Sequence, residues 1–418
     1  MNNKIKSFVR HPLFSGSLVM VGGSLGVNAI NYLYHLLMGR ILGPVNYGIL
    51  ASIFSILYMV SIVPQSTSFT IVKFISSSKS KDEAATIYSS VNKFIFWFSI
   101  AVSLLIVLFS TSISRFLKIE NNILIVLVAP ILFFSLITLV NQASSQGLLR
   151  FLGVVIPNLV SAVVKLVVGL LFIYLGLSVL GAIWAVVLGS LLAFWVSLPY
   201  VRNLTKIKVN TVYDLKPILT YAFPVLLQAL AFTSLFTTDV ILVKHFFSPH
   251  DAGIYAALST LGKIIFFASS PITATMFPIV SGKKAKGENY IRIFTLSLMA
   301  TLAVSLAVVV FYSFFPNIAI GILYGKAYLQ ASTQLIWMGF FILLYSLAYL
   351  LINFVLSLGK TKIVVLPAIT ALLQIVGISI WHNSLLQIIQ VSLILTGSLV
   401  CCTLVYLGYN RFRKSYAK

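Results

Sequence analysis

The sequence predicts an all-α polytopic membrane protein, with about 12 transmembrane helices in two parallel six-helix halves around a central cavity. Three observations carry this expectation. Of the 418 residues, 60% are hydrophobic and only 9% charged, whereas a soluble domain carries roughly a quarter charged residues. Apolar runs of about 20 residues, the length that crosses a bilayer core, recur along the whole chain. Lys and Arg collect in alternate gaps between those runs, as they do on the cytoplasmic side of a multi-pass protein.

Twelve runs are found, near residues 15–37, 47–69, 91–112, 121–143, 152–175, 179–199, 217–241, 252–280, 291–315, 331–358, 362–381 and 385–409. They are long and continuously apolar, which favours helices over barrel strands of about ten alternating residues. No soluble domain is left over. With the amino terminus inside, the inner segments hold 22 Lys and Arg, beginning with Lys4, Lys6 and Arg10. The outer segments hold Arg40, Arg115, Lys118, Lys244 and Lys326. One missed helix would invert every later gap, so the bias supports the span count as well as the orientation. Both termini are expected in the cytoplasm and the protein in the cell (inner or plasma) membrane. The net charge of +22 then reflects loop charge facing membrane lipids, not a nucleic-acid partner.

Lys4, Lys6 and Arg10 ahead of an apolar stretch also fit a signal peptide, but an internal repeat gives span one a partner. At an offset of 205 residues, Pro12 matches Pro217, Pro44 matches Pro249, Gly48 matches Gly253, and Lys79, Lys81 and Glu83 match Lys284, Lys286 and Glu288. Further on the offset becomes 212, pairing Asn141, Gly147 and Arg150 with Asn353, Gly359 and Lys362. Two halves follow, 1–205 and 206–418. Each has an even number of spans, so both sit the same way up, as in parallel-repeat transporters, with substrate expected between them.

Lys165 and Lys263 lie deep within spans five and eight. Lys165 is about 16 Å from water at 1.5 Å per residue, beyond snorkelling reach. A lysine facing lipid there costs roughly 2.5 to 3.5 kcal/mol on insertion scales, so both are expected to border a polar cavity. Asp239 is the one acid inside a span and cannot neutralise both; it is either a coupling or gating group, or a structural cap. The arrangement reads as a net-positive cavity that receives an anion. Amides inside the spans are Asn28, Asn31, Gln65, Asn141, Gln142, Asn158, Gln228, Asn353 and Gln374. They suit sugar hydroxyls because they both donate and accept, and they serve equally as interhelical bonds. Asn28 and Asn31 share one helix face. Gly22, Gly23 and Gly26 permit either a bend or close packing. Arg40 and Lys244 flank the matched outer loops, where they attract anionic headgroups or anchor the chain at the interface.

Catalytic and metal constellations are missing. No GxxxxGK[ST] loop or HExxH occurs, no large loop carries paired carboxylates, and the five histidines are scattered near helix ends. The two cysteines, Cys401 and Cys402, are adjacent and give no disulfide framework. No cofactor is expected, apart from a proton or sodium gradient as energy source.

The first loop, Gly39-Arg40-Ile41-Leu42-Gly43-Pro44-Val45-Asn46-Tyr47-Gly48, resembles the R-x-L-G-P-x-x-Y-G segment of Wzx-type polysaccharide-biosynthesis flippases, a branch of the multidrug/oligosaccharidyl-lipid/polysaccharide flippase superfamily. Gln146-Gly147-Leu148-Leu149-Arg150-Phe151, Tyr221-Ala222-Phe223-Pro224, Asp239 followed by Phe246-Phe247-Ser248, and Ala252-Gly253-Ile254-Tyr255 are similar to that family too. The resemblance covers nearly the whole chain and speaks to family more than to substrate. It implies a six-plus-six transporter that carries a polyprenyl-diphosphate-linked oligosaccharide from the inner to the outer leaflet by alternating access. It also implies that basic cavity residues such as Lys165 and Lys263 hold the diphosphate, in a pathway shared with glycosyltransferases and a polymerase. Related lipid II flippases carry fourteen spans, which argues against a peptidoglycan precursor as cargo. Two alternatives stay open. A cation-coupled multidrug exporter of the same superfamily would want cavity acids, and a polytopic glycan-processing enzyme would want a catalytic cluster.

Overall fold

The structure is a computed structural model, and it describes residues 12–78, 80–207, 213–214 and 216–415. Lys4, Lys6, Arg10, His11, Lys79, Lys208 and Lys418 lie outside the described residues, as do the side chains of Gln65, Pro217, Tyr221, Arg411, Arg413 and Lys414. Among the described residues there is no strand. In order, the helices are α1 (Pro12–Ser76), α2 (Lys81–Leu108), α3 (Ser110–Phe116), α4 (Ile123–Val126), α5 (Val128–Gly147), α6 (Leu152–Tyr174) and α7 (Ser178–Thr205). Then come α8 (Lys216–Phe246), α9 (Pro249–Ala285), α10 (Ile291–Phe314), α11 (Pro316–Leu323), α12 (Ser332–Ser357), α13 (Val365–Ile380) and α14 (Leu385–Ser415).

The loop expected between spans one and two is reduced to a single residue. Helix α1 runs through it, broken only at Gly43 with φ 72° and ψ 174°. That conformation is open to glycine without a Cβ penalty, and Pro44, which lacks an N–H and presets φ, opens the second arm. Eleven stretches among the described residues are long and apolar enough to cross a membrane. The first of these lies in α1, whose 65 residues make about 100 Å of helix, enough for two bilayer cores. The Gly43 break divides it into two crossings, which makes twelve. Two other starts are set by side-chain caps. The Ser80 hydroxyl accepts the Glu83 N–H at 3.1 Å to open α2, and the Ser248 hydroxyl accepts the Asp251 N–H at 3.1 Å ahead of Pro249 in α9. Each satisfies an orphan donor of a first turn that also carries acids.

The chain forms two compact units. One comprises the chain up to Leu42 together with Ile56–Leu226; the other comprises Gly43–Ser55 and Leu227–Lys418. In the first, α5 packs against α2 and α7, and α6 against α7. In the second, α12 packs against α10 and α14, and α13 against α14. These are the same pairings of third with fourth, fourth with sixth and fifth with sixth spans, and in both units short helical pieces separate the third span from the fourth. The first core gathers Ile71, Ile87, Val91, Leu136 and Val140; the second gathers Leu235, Met276, Leu350, Leu351 and Val355.

The second register of the repeat needs correction. Helix α5 ends with N–H groups of Leu148, Leu149 and Arg150 donating to the carbonyls of Ser144, Gln146 and Ser145. Helix α12 ends with Leu358, Gly359 and Lys360 donating to Phe354, Leu356 and Val355 in the same pattern. The left-handed residue of this closure is Leu149 (φ 59°) in one unit and Gly359 (φ 73°) in the other. The structural offset there is therefore 210, and Gly359 is the counterpart of Leu149, not of Gly147. The offset of 205 agrees with the helix starts at Pro44 and Pro249. Inside the second unit the matched glycines Gly48 and Gly253 meet: a Cβ on Gly48 would lie 2.8 Å from the Gly253 nitrogen, and one on Gly253 would overlap the Pro44 carbonyl.

Candidate functional site

In the first unit, α6 and the first arm of α1 bring Lys165, Asn31 and Tyr34 together. The Lys165 ammonium donates to the Asn31 Oδ1 at 2.7 Å and lies 4.7 Å from the centroid of the Tyr34 ring. The Tyr34 hydroxyl in turn donates to the Ala182 carbonyl at 3.3 Å. Lys165 is only 9% exposed. A buried ammonium is costly unless acceptors surround it, and here an amide oxygen and a π face do that work, not a carboxylate. Lys165 thus lies under Tyr34 and does not project into open space.

The open polar space lies beside Asn28 and Asn158. Gly23, Ser24, Val27, Asn28, Val154, Val155 and Asn158 line a cleft between the two helices, and both asparagines are exposed. Gln142 on α5 donates to the Asn158 Oδ1 at 2.9 Å. Gly23 allows the close approach, because a Cβ there would collide with both methyls of Val155; Gly22 and Gly26 face open space. Of the three glycines, one is therefore a packing residue.

In the second unit, Lys263 on α9 is half-buried. Its ammonium lies 4.6 Å from the centroid of the Phe236 ring, and no hydrogen-bond acceptor for it is found among the described residues. Phe236 belongs to an aromatic cluster with Phe266 and Tyr345, centroids 5.2 Å from each. Asp239 is 1% exposed and already engaged: it accepts from the Tyr255 hydroxyl at 2.7 Å and from the Val240 N–H at 2.8 Å. It interacts electrostatically with Lys263 without forming a contact ion pair.

The remaining sequence candidates divide by burial. Arg40 is exposed. Lys244 is 2% exposed, so its side chain is buried and does not face headgroups at the surface. Asn141 bridges helices by accepting from Tyr88 at 2.9 Å and donating to Ser197 at 2.8 Å. Gln374 donates to Ser392 at 2.9 Å, and Asn353 to the Tyr349 carbonyl of its own helix at 2.8 Å. The scattered histidines partly converge, with His382 stacked on Phe246 at 4.0 Å and His245 edge-on to the same ring at 4.8 Å. No group of three or more His, Cys, Asp or Glu that could hold a metal occurs among the described residues.

Sequence reasoning missed Tyr34, Phe236 and Tyr255. Each neighbours a named residue at helical spacing or in a motif, but an aromatic at such a position reads as ordinary packing until the lysine or aspartate is seen against it.

A family model described as polysaccharide biosynthesis protein matches residues 37–333. The chain belongs to that family. No curated protein matches it in sequence. Among solved structures, this family member is similar to the lipid II flippase MurJ in an inward closed conformation, at 16% identity and TM-score 0.75 over 94% of this chain and 87% of that one. It is similar to an inward-facing multidrug resistance MATE family transporter of the MOP superfamily, at 15% identity and TM-score 0.71 over 92% and 95%. It is also similar to a MOP superfamily transporter from Pyrococcus furiosus, described as having a binding pocket of reverse polarity that suggests a different function, at 14% identity and TM-score 0.62 over 99% and 98%. Family and fold make this polysaccharide biosynthesis protein an all-helical, multi-pass membrane protein with the fold shared by those transporters.

Proposed function

We propose that the protein flips a polyprenyl-diphosphate-linked oligosaccharide from the cytoplasmic to the outer leaflet of the cell membrane by alternating access, with Lys165 and Lys263 supplying cations for the diphosphate. The observation that carries this reading is the ammonium of Lys263, set within a membrane span with a ring for its contact, while the Asp239 carboxylate is occupied by Tyr255. An ammonium so placed is costly and is best completed by a phosphate oxygen. Lys165 has neutral partners and can exchange Asn31 for a stronger acceptor. Asp239 is the group through which a proton or sodium gradient would act, and glycosyltransferases and a polymerase are the expected pathway partners. Both termini are assigned to the cytoplasm on the loop charges.

The test is glycan export in cells that depend on this protein. A charged hydrogen bond is worth about 1.5–3 kcal/mol, so Lys263→Gln and Lys165→Gln should each lower export by roughly 10- to 100-fold at unchanged membrane abundance. Undiminished export in both overturns the reading. A multidrug exporter is the second reading, favoured by the MATE-like fold. Resistance to organic cations conferred by the protein, with no effect on surface glycan, would establish it instead.

A further inference from the structure

The cleft between the first arm of α1 and α6 has a chemistry different from that of the lysines. Its polar groups are Ser24, Asn28 and Asn158, and its remaining wall is Gly23, Val27, Val154 and Val155, with no charge of either sign. The Asn28 amide and the Ser24 hydroxyl have no hydrogen-bond partner among the described residues. Asn158 uses its oxygen to accept from Gln142, which leaves its two N–H donors without a partner among the described residues. Asn158 lies six residues into α6, about 9 Å along the helix, and Gly23 on the facing arm of α1 packs against Val155 three residues before it. Amides exposed to hydrocarbon at such a position would each cost several kcal/mol, so the cleft is a wet pocket. Lys165 is seven residues further along α6, about 10 Å deeper, and its hydrogen bond to Asn31 continues the same two helix faces.

We propose that this cleft is a saccharide subsite, which takes a neutral, hydroxyl-bearing sugar ring of the cargo while Lys165 engages the diphosphate. The inference rests on the flippase reading above. Amides and a hydroxyl that both donate and accept match ring hydroxyls, and the apolar wall of Val27 and Val155 offers a surface for a pyranose C–H face. The absence of a cation in the cleft leaves nothing to select an acidic sugar.

The experiment measures binding of two probes to the purified full chain: a polyprenyl diphosphate, and the same lipid carrying one N-acetylglucosamine. Two to three neutral hydrogen bonds predict a preference of about tenfold for the sugar-bearing probe. Asn28→Ala combined with Asn158→Ala should erase that preference and leave the sugar-free affinity unchanged, which also shows that the variant is folded. Lys165→Gln should weaken both probes alike. Equal binding of both probes by the unaltered protein, or a preference that survives the double substitution, overturns the subsite and leaves the flippase reading standing. Binding of neither probe overturns the flippase reading and the subsite with it.

Discussion

An ammonium group in a membrane helix has to find oxygen, a π face or water, and Lys165 and Lys263 settle the matter differently. Lys165 has Asn31 at 2.7 Å and the ring of Tyr34. Removing only the acceptor should therefore hurt more than removing both partners: Asn31→Leu is expected to cost about 1–3 kcal/mol, and Asn31→Leu with Lys165→Met to recover most of it. Thermal unfolding in detergent of the two variants checks this, and equal destabilisation would show that the bond is incidental. Asn141 is the contrasting amide, because its bonds to Tyr88 and Ser197 tie helices together and at 1% exposed it is closed to a ligand. Asn141→Leu should lower stability by about 1–3 kcal/mol, with transport per folded molecule unchanged. The depth of both lysines was legible from span arithmetic, and the amides could be named. Which amide meets which lysine was not, since Asn31 and Lys165 are 134 residues apart and only packing brings them together.

At the scale of elements, glycines decide how closely helices start and cross. Gly43 alone interrupts α1, with φ at 72°. Gly43→Ala places a Cβ on backbone at φ 72° and ψ 174°, a region essentially confined to glycine, at about 1–3 kcal/mol, whereas Gly26→Ala, in open space, should gain helix propensity of up to about 1 kcal/mol. Opposite shifts in melting temperature are the expected result. Gly253 is the stricter case. A methyl there would overlap the Pro44 carbonyl, and overpacking of this kind costs about 1–3 kcal/mol, so Gly253→Ala should lower the yield of folded protein while Gly22→Ala does not. The Gly-Pro break and the Pro-led start at Pro249 could be read from residue types. The closure at Leu149 could not, because a leucine gives no sign of a left-handed conformation, and the repeat was consequently registered two residues out.

For the whole molecule, the loop charges make a topological prediction. After replacement of Cys401 and Cys402, a single cysteine at Ser78 or at Glu288 should react with a membrane-impermeant maleimide only when the cytoplasmic face is open, and one at Glu120 or Lys326 from outside in intact cells. Labelling of Glu288 and Lys326 positions from the same side would break the assigned orientation. The two-unit division was only partly foreseeable. The repeat puts a boundary near residue 205, whereas the compact units divide after Leu226 and Gly43–Ser55 is packed with the second unit, where the Tyr47 hydroxyl meets Thr260 at 3.0 Å and Tyr324 at 3.2 Å.

Composition, run length and loop charge were enough to determine a twelve-span helical membrane protein, because bilayer thickness and the cost of moving charge across it act on each segment locally. The first loop and the other motif segments pointed to the family for the same reason: each is written in contiguous residues. Tertiary structure alone decided that Lys244 is buried, that Asp239 is held by Tyr255, and that the open amides of Asn28 and Asn158 line one cleft while Lys165 lies against Tyr34. Those outcomes depend on which helix faces meet, and the energies that select the faces arise between residues far apart along the chain.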